Sequence, residues 1–535
     1  MLVHLGGSSC IVVVQGVPEG GTIGPAACTL VPDVLVKELL GADHGLGVDV
    51  NMPPAWAGHV WVGTGSPDPA LVHALDVALR DGASLPSIAA LEESATLEAS
   101  ALRALDHTAT LRVCAVLHAD DPVLVDSSLG GLRGMVDITS RWCCQYKVAF
   151  HVGSAKTVVQ AAGDGASAAL SAGDCGFEFR REGVPPASVA VVWQHKWLGL
   201  PWRADLDFVP ALIARIKALE VRVADLTSLV ADGSLPLCMA ADMFESKVDG
   251  AMRPCRWLFA IAWQAQSLLD SAYEEWAKAL LGSPRWRSAA VATSELGWRL
   301  SGYDRAVLDM ASKRAQLWRL PQGDIYGDVF RMAHSLSGPT WAKQSAEILA
   351  SRCIQDWPEW SSSGAGPSAY LRYVRGCLEA VTEAKWRIAV STHTRPRPYL
   401  QLRPAPARDL HEALTSEYPW SVLVAQRSVS RCRAGLLDFG HRAGRRTAAR
   451  VQTCILCGRQ SGDAATHVLS MCEELAVPRS SARGAAGIGA ATRKFHAASR
   501  MLNIMPGMQG FAECVLFFKA AEARAACFWA SSLGG

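Results

Sequence analysis

The sequence predicts an α+β chain: a partly β segment over residues 1–204, a longer helical region after it, and a small cysteine- and histidine-bearing module near the C-terminus. Three observations carry this. Short Val-rich runs, Leu111–Leu117 and Pro122–Val125, meet at a polar step, as two strands of a hairpin do. From about Asp205, Phe208, Leu212, Ile216 and Leu219, and later Leu269, Tyr273, Trp276 and Leu280, recur at helical spacing. Finally, Cys454-Ile455-Leu456-Cys457 is followed by His467 and Cys472.

At 535 residues, half of them hydrophobic, the chain exceeds a single ordinary core. It divides into 1–204, 205–360, 361–450, 451–478 and 479–535. A net charge of +2 excludes a uniformly basic nucleic-acid protein, so basic character has to be local. Sixteen cysteines lack a dense disulfide spacing and no secretory signal opens the chain, which points to reduced thiols in the nucleus or cytoplasm. No run of about 18 apolar residues occurs, so a membrane span is not expected.

In chain order, Cys10–Val14 reads as a core strand and Gln15–Pro25 as a glycine- and proline-punctuated loop. A helix follows from about Ala26 to Leu40, carrying Leu30, Val34, Leu35 and Leu39. Residues 58–108 read as an insertion, mainly helical from Asp68 to Leu105, with a packing role. The hairpin then carries Asp120 and Asp121 at its tip. Such a pair can hold a hard divalent cation, which takes one or two protein carboxylates and leaves room for phosphate oxygens; an acidic turn is the plain alternative. A helix from Leu132 to Gln145, a strand ending near Val152, Lys156, and a strand over Trp197-Leu198-Gly199 complete the segment.

Four pieces in this order, Gly16–Pro25 (GVPEGGTIGP), His118–Asp121 (HADD), Ser154–Thr157 (SAKT) and Lys196–Gly199 (KWLG), resemble the reverse-transcriptase palm of non-LTR, LINE-type retrotransposons. The resemblance spans Gly16 to Trp202. It implies a partial palm, with Asp120 and Asp121 as Mg²⁺ ligands and Lys156 beside the triphosphate. It also implies that Gly16, Pro18, Glu19, Gly20, Gly21 and Gly24 lie at the nucleotide and template-primer pocket, and Trp197, Leu198 and Gly199 at the primer end. Partners would be an RNA template and a DNA target or primer. Glu19 stands where the family has Gln, and His118 where it has an aromatic residue. No Asp precedes Asp33, whereas the family's first metal-binding Asp lies on a strand before the glycine loop. Two-metal nucleotidyl transfer needs both ions held about 3.5–4 Å apart, which this one pair supports poorly. The expectation is therefore a truncated RNA-directed DNA polymerase, inactive by itself. The rival reading is a non-catalytic nucleic-acid-binding protein.

The Trp-rich helices of 205–360 are expected as thumb and connector, with Trp257, Trp263, Trp276, Trp286, Trp298 and Trp318 packed in the core. Ser361–Ser368 reads as a linker, and the prolines between Arg395 and Pro406 rule out one regular element. Arg427, Arg431, Arg433, Arg442, Arg445, Arg446 and Arg450, against Asp438 alone, form a basic run suited to phosphates, a solvated face being the default. Cys454, Cys457, His467 and Cys472 offer three thiolates and one imidazole at Cys-x2-Cys-x9-His-x4-Cys spacing, the ligand set of a closed structural Zn²⁺ site. His467 and Cys472 are expected on one face of a short helix. The set resembles the Cys-Cys-His-Cys knuckle that follows the polymerase in LINE-type proteins. After a break near Ser480–Ala491, a last helix should dock through Phe511, Cys514, Phe518, Ala521, Ala525 and Phe528.

Overall fold

A computed structural model describes residues 9–13, 35, 38–39, 42, 46–51, 108–113, 115–118, 121–126, 128–146, 157–162, 177–181, 184–197, 200–283, 288–321, 324–335, 339–362, 364–392, 412–413, 417–434, 440–441, 452–461, 464–489, 500–503 and 508–533. The chain is loosely α+β, mostly helical with a few small sheets. It divides into two compact units, Met1–Ala211 with Ser312–Gly364, and Leu212–Ala311 with Ala365–Gly535. The helical stretch expected as one thumb and connector is thus shared between the two units.

In the first unit, β1 (Ser9–Val13) lies in a sheet with β4 (Ala115–His118), β5 (Asp121–Asp126), β6 (Val158–Ala162) and β9 (Ala190–Val191), in the order β4-β5-β1-β6-β9. Separate two-stranded sheets are formed by β2 (Leu46–Asn51) with β3 (Thr108–Val113), by β7 (Glu178–Arg181) with β8 (Val184–Ser188), and by β10 (Gln194–Trp197) with β11 (Leu200–Arg203). Val123, Leu124, Val125 and Asp126 are all buried, the unbroken pattern of a strand covered on both faces. Leu124 meets Leu132, Met135, Val136 and Trp142 of α1 (Leu129–Tyr146), together with Val159, Phe177 and Phe179. Leu35 and Leu39, helical as expected, are buried in the same core.

The start of α1 is built by side chains. Ser128 Oγ accepts from Gly131 N at 2.9 Å, and Asp126 accepts from Ser128 N at 2.8 Å, so orphan amides of the first turn are satisfied. A Cβ on Gly131 would stand 2.3 Å from the Asp126 carboxylate, which explains glycine at that position. Of the strand expected over Trp197-Leu198-Gly199, Trp197 ends β10 and pairs with Leu200 of β11, and Leu198 and Gly199 lie outside the described residues. The strand expected near Val152 and the insertion helix also lie outside the described residues, while β6 begins just after Thr157.

Helices follow: α2 (Val209–Ala231), α3 (Leu237–Met243), a π-helical turn (Phe244–Asp249) continuing into α4 (Gly250–Phe259), α5 (Ala265–Leu281), α6 (Ala289–Glu295) and α7 (Gly302–Trp318). Next come α8 (Ile325–Ser335), α9 (Trp341–Ser351), α10 (Trp357–Ser361), α11 (Pro367–Thr392) and α12 (Trp420–Arg433). The expected Ser361–Ser368 linker is shorter than its composition suggested, because Pro367 opens α11, a position where its missing N–H costs nothing. In the first unit, the fully buried Arg314 ties α7 to Asp356, to Ser345 Oγ at 2.6 Å and to the Ala342 carbonyl, with its guanidinium over the Phe330 ring.

In the second unit, Leu212, Ile216 and Leu219 are buried on α2, and Leu269, Tyr273, Trp276 and Leu280 on α5, as their spacing predicts. Trp276 and Trp298 pack in the core and Trp257 is half-buried, but Trp263 is 81% exposed on the loop between α4 and α5. Trp318, in the first unit, is half-buried against Phe330, and Trp286 lies outside the described residues. The C-terminal part comprises β12 (Gly440–His441), β13 (Gln452–Cys454), β14 (Gln460–Ser461), α13 (Ala464–Ser470), a 3₁₀ turn (Glu473–Leu475), α14 (Ala476–Ala485) and α15 (Phe511–Leu533). The expected break at Ser480 begins later, since α14 runs to Ala485. Phe511, Cys514, Phe518, Ala521 and Ala525 are buried in one core with Val422, Ala425 and Val429 of α12 and with Ala482 of α14, and Phe528 packs against it. Among the described residues, no helix is long and apolar enough to cross a membrane.

Candidate metal centre and acidic hairpin

The metal centre grows from a hairpin and one turn of helix. β13 pairs antiparallel with β14 and with β12. Between the first two, Cys454 N donates to Arg459 O and Gly458 N to Cys454 O, both at 2.8 Å. Gly458 has φ +71°, a left-handed conformation that glycine adopts without strain, and this tight turn brings Cys454 and Cys457 to one side. His467 comes from α13. Cys472 does not share that helix as expected, because α13 ends at Ser470. The chain folds back there, with Met471 N and Cys472 N both donating to the His467 carbonyl at 2.7 and 2.9 Å. The second sulfur is therefore aimed by a helix terminus rather than by helical spacing.

The four donor atoms lie within 4.8 Å of one another. Cys454 Sγ and Cys472 Sγ are 4.0 Å apart, and Cys457 Sγ and His467 Nε2 3.1 Å. A tetrahedral ion about 2.3 Å from sulfur and 2.0 Å from nitrogen would set its ligands roughly 3.5–3.8 Å apart, so the cluster has the dimensions such an ion requires. Cys454 and Cys472 are fully buried, His467 is buried, and Cys457 is half-buried. Val468, Leu469 and Leu475 enclose them. Burial, reinforced by the neighbouring Cys454 and Cys457 sulfurs, pushes the Cys472 thiol up to about 12. Burial first, then the Arg459 and Arg479 charges, lowers the His467 pKa and favours the neutral imidazole that binds metals. The Cys₃His group can hold a metal ion, and all four positions are filled from the protein.

Arg479 of α14 donates from Nη1 to the Cys472 carbonyl at 2.7 Å and to the Val468 carbonyl at 3.5 Å. Arg459, on the turn, pairs at the surface with Glu473. Sequence spacing gave no sign of either contact; a cation seven residues beyond the last ligand is the only trace of the first.

For the acidic hairpin, His118 pairs with Asp121, which leaves Ala119 and Asp120 as the connection between β4 and β5. Val123, Val13 and Val158 are register partners across β5, β1 and β6. The start of β5 at Asp121, the end of β1 that leads to Gly16, and the start of β6 after Lys156-Thr157 therefore emerge at one end of the sheet. Asp120, Lys156, Gly16, Pro18, Glu19, Gly20, Gly21 and Gly24, and the Asp121 side chain, lie outside what is described.

The arginine run corrects its sequence reading in the described part. Arg433 is buried against Glu295 at 3.1 Å, Arg431 pairs with Glu522 at 3.0 Å, and Arg427 donates to the Val230 carbonyl at 3.2 Å. These three brace the second unit instead of presenting an open basic face, because α12 is packed on by α15. Arg442, Arg445, Arg446 and Arg450 lie outside the described residues.

One cluster escaped sequence reading altogether. The buried Asp249 at the end of the π turn meets Arg256, Arg305 at 3.1 Å and the Tyr273 hydroxyl at 2.7 Å. Glu245 holds Arg305 at 2.8 Å and Asp309 holds Arg256 at 2.8 Å. Burial alone would raise the Asp249 carboxyl, but Arg305 and Arg256 outweigh it and hold the group down at about 2. A cavity of about 560 Å³ between α5, α6 and α11 is lined by four acids, Asp270, Glu274, Glu379 and Glu383, alongside Lys278, Arg299 and Lys385, so both signs of charge face it. Neither a protein-family profile nor a curated protein sequence matches the chain.

Proposed function

We propose that the chain is a reverse-transcriptase-domain protein of the LINE type, which engages RNA and DNA and carries a structural Zn²⁺ at Cys454, Cys457, His467 and Cys472. The observation that carries the reading is the shared sheet end. A hairpin bearing paired aspartates, the strand leading to the glycine loop and the strand following Lys156 converge there, the placement that Mg²⁺-assisted chemistry on a triphosphate would need. Asp120 and Asp121 would supply one part of a two-ion carboxylate set, and extension of a primer would need a further carboxylate beside them. The thiol-rich donor set favours Zn²⁺ over hard cations, and it fits a structural role because no open position remains.

Mn²⁺ titration followed by electron paramagnetic resonance tests the acidic hairpin. Binding to the native chain, and its loss in the Asp120→Asn/Asp121→Asn double variant, is expected, together with a salt-dependent mobility shift of an RNA template-primer duplex. Absence of both Mn²⁺ binding and a duplex shift would remove the reading. A second reading, nucleic-acid binding without polymerisation, is favoured by the candidate metal centre, whose four donor groups are assembled among the described residues. A duplex shift that persists while no Mn²⁺ binds and no primer is extended would select it.

A further inference from the structure

We propose that Arg479 is the positioning residue of the Cys₃His metal centre: its guanidinium fixes the turn that carries Cys472 and supplies the positive charge that a three-thiolate site lacks. The inference rests on the metal-site reading above and deepens it.

Two observations meet at this side chain. The first is geometric. α13 ends at Ser470, and its last carbonyls have no helical partners of their own. The His467 carbonyl is taken by Met471 N and Cys472 N, while the carbonyls of Val468 and of Cys472 itself are both taken by Arg479 Nη1. One guanidinium thus spans the helix that carries the imidazole and the loop that carries the last sulfur, and sets the separation of those two ligands. The anchor is firm, because Arg479 lies on α14, whose Ala482 is fully buried in the core shared with α12 and α15.

The second observation is electrostatic. Three thiolates, a neutral imidazole and a divalent ion leave one net negative charge, enclosed by Val468, Leu469 and Leu475. A buried net charge is costly unless paired. The other cations nearby are already committed elsewhere: Arg459 is paired with Glu473 in solvent, and Arg483 donates to the Gly489 carbonyl. Arg479, half-buried against Cys472, is the cation in place to close the balance. Outer partners of this kind orient ligands, and their loss typically weakens metal binding by about 10–100-fold.

Co²⁺ binding by the full chain, competed against a chelator and followed through the d–d and thiolate charge-transfer bands, tests this. Tetrahedral sulfur-rich bands are expected for the native chain, absent in Cys457→Ser. Arg479→Ala is expected to lose about tenfold or more in Co²⁺ affinity with shifted or broadened bands, and Arg479→Lys to recover part of the affinity. Thermal unfolding with and without metal separates the roles, because loss of a positioning residue destabilises the metal-bound form more than the metal-free form. If the native chain binds no Co²⁺, the metal-site reading itself fails. If Arg479→Ala binds Co²⁺ with native affinity and bands, or lowers the melting temperature equally with and without metal, the metal site stands and the role of Arg479 is overturned.

Discussion

The second unit holds two buried polar clusters that solve the same problem in opposite ways. Around Asp249, three carboxylates (Asp249, Glu245, Asp309) meet three guanidiniums (Arg256, Arg305 and, at its edge, Arg253), so the group is neutral within the chain. Around Cys472, three thiols and an imidazole meet with no cation among the ligands and one arginine behind them. The first cluster is complete as a structural core. The second can take a positive ion, whose binding would convert its thiols to thiolates. Buried polar residues thus point to a ligand when they gather metal-type donors with no opposite charge among them, not merely when they cluster.

The widest separation between the two should come from removing one ligand. Cys457→Ser is expected to abolish stoichiometric metal binding, read by elemental mass spectrometry, and to loosen the core around Leu475 and Phe518, read by near-UV circular dichroism. A structural Zn²⁺ contributes on the order of 10 kcal/mol in small metal modules, and chelation of the native chain should reproduce the change. Chelation should leave the Asp249 cluster untouched.

Next in size, Arg305→Ala leaves the buried Asp249 and the partly exposed Glu245 with one strong partner fewer. It should destabilise the second unit by about 3–5 kcal/mol in denaturant unfolding, with metal content unchanged. A native-like midpoint would mean that the cluster is open to water. Smaller still is the pH effect. The Asp249 carboxyl sits at about 2 in the folded chain against an ordinary 3.8, so the stabilisation is present above the ordinary value and is lost as pH falls from about 4 to about 2. It amounts to about 2–3 kcal/mol at neutral pH, and unfolding midpoints across that window should register it unless Asp249 is replaced by Asn. At the far end, Trp263→Ala, on a side chain 81% exposed, should stay within about 0.5 kcal/mol and calibrate both clusters.

What was legible in the sequence follows from range. The spacing of Leu269, Tyr273, Trp276 and Leu280 specifies a helical face by itself, and α5 buries all four. The pairing of His118 with Asp121 follows from two Val-rich runs and a polar step. The four metal ligands were legible because a short turn and a short helix confine them within nineteen residues. The placement of Cys472 was not, because a helix end reversed the chain before spacing could act. Nor did composition reveal that Arg427, Arg431 and Arg433 face inward: their partners Val230, Glu522 and Glu295 are remote in the chain, and no local pattern marks them. The Asp249 network is illegible for the same reason, spanning residues 245 to 309.

The π turn at Phe244–Asp249 has a consequence for how the chain can change. It holds one more residue per hydrogen-bonded ring than an α-helix, and it orients Phe244, Val248 and Asp249 inward together. Losing one of its exposed residues, Ser246 or Lys247, would restore ordinary pitch with little change of phase, whereas a deletion within α4 would turn the residues after it by roughly 100° about the axis and carry Arg256 away from Asp309. The wide turn is therefore the place where this helix can change length by one residue, while the α-helix after it is fixed in length by the Arg256–Asp309 pair.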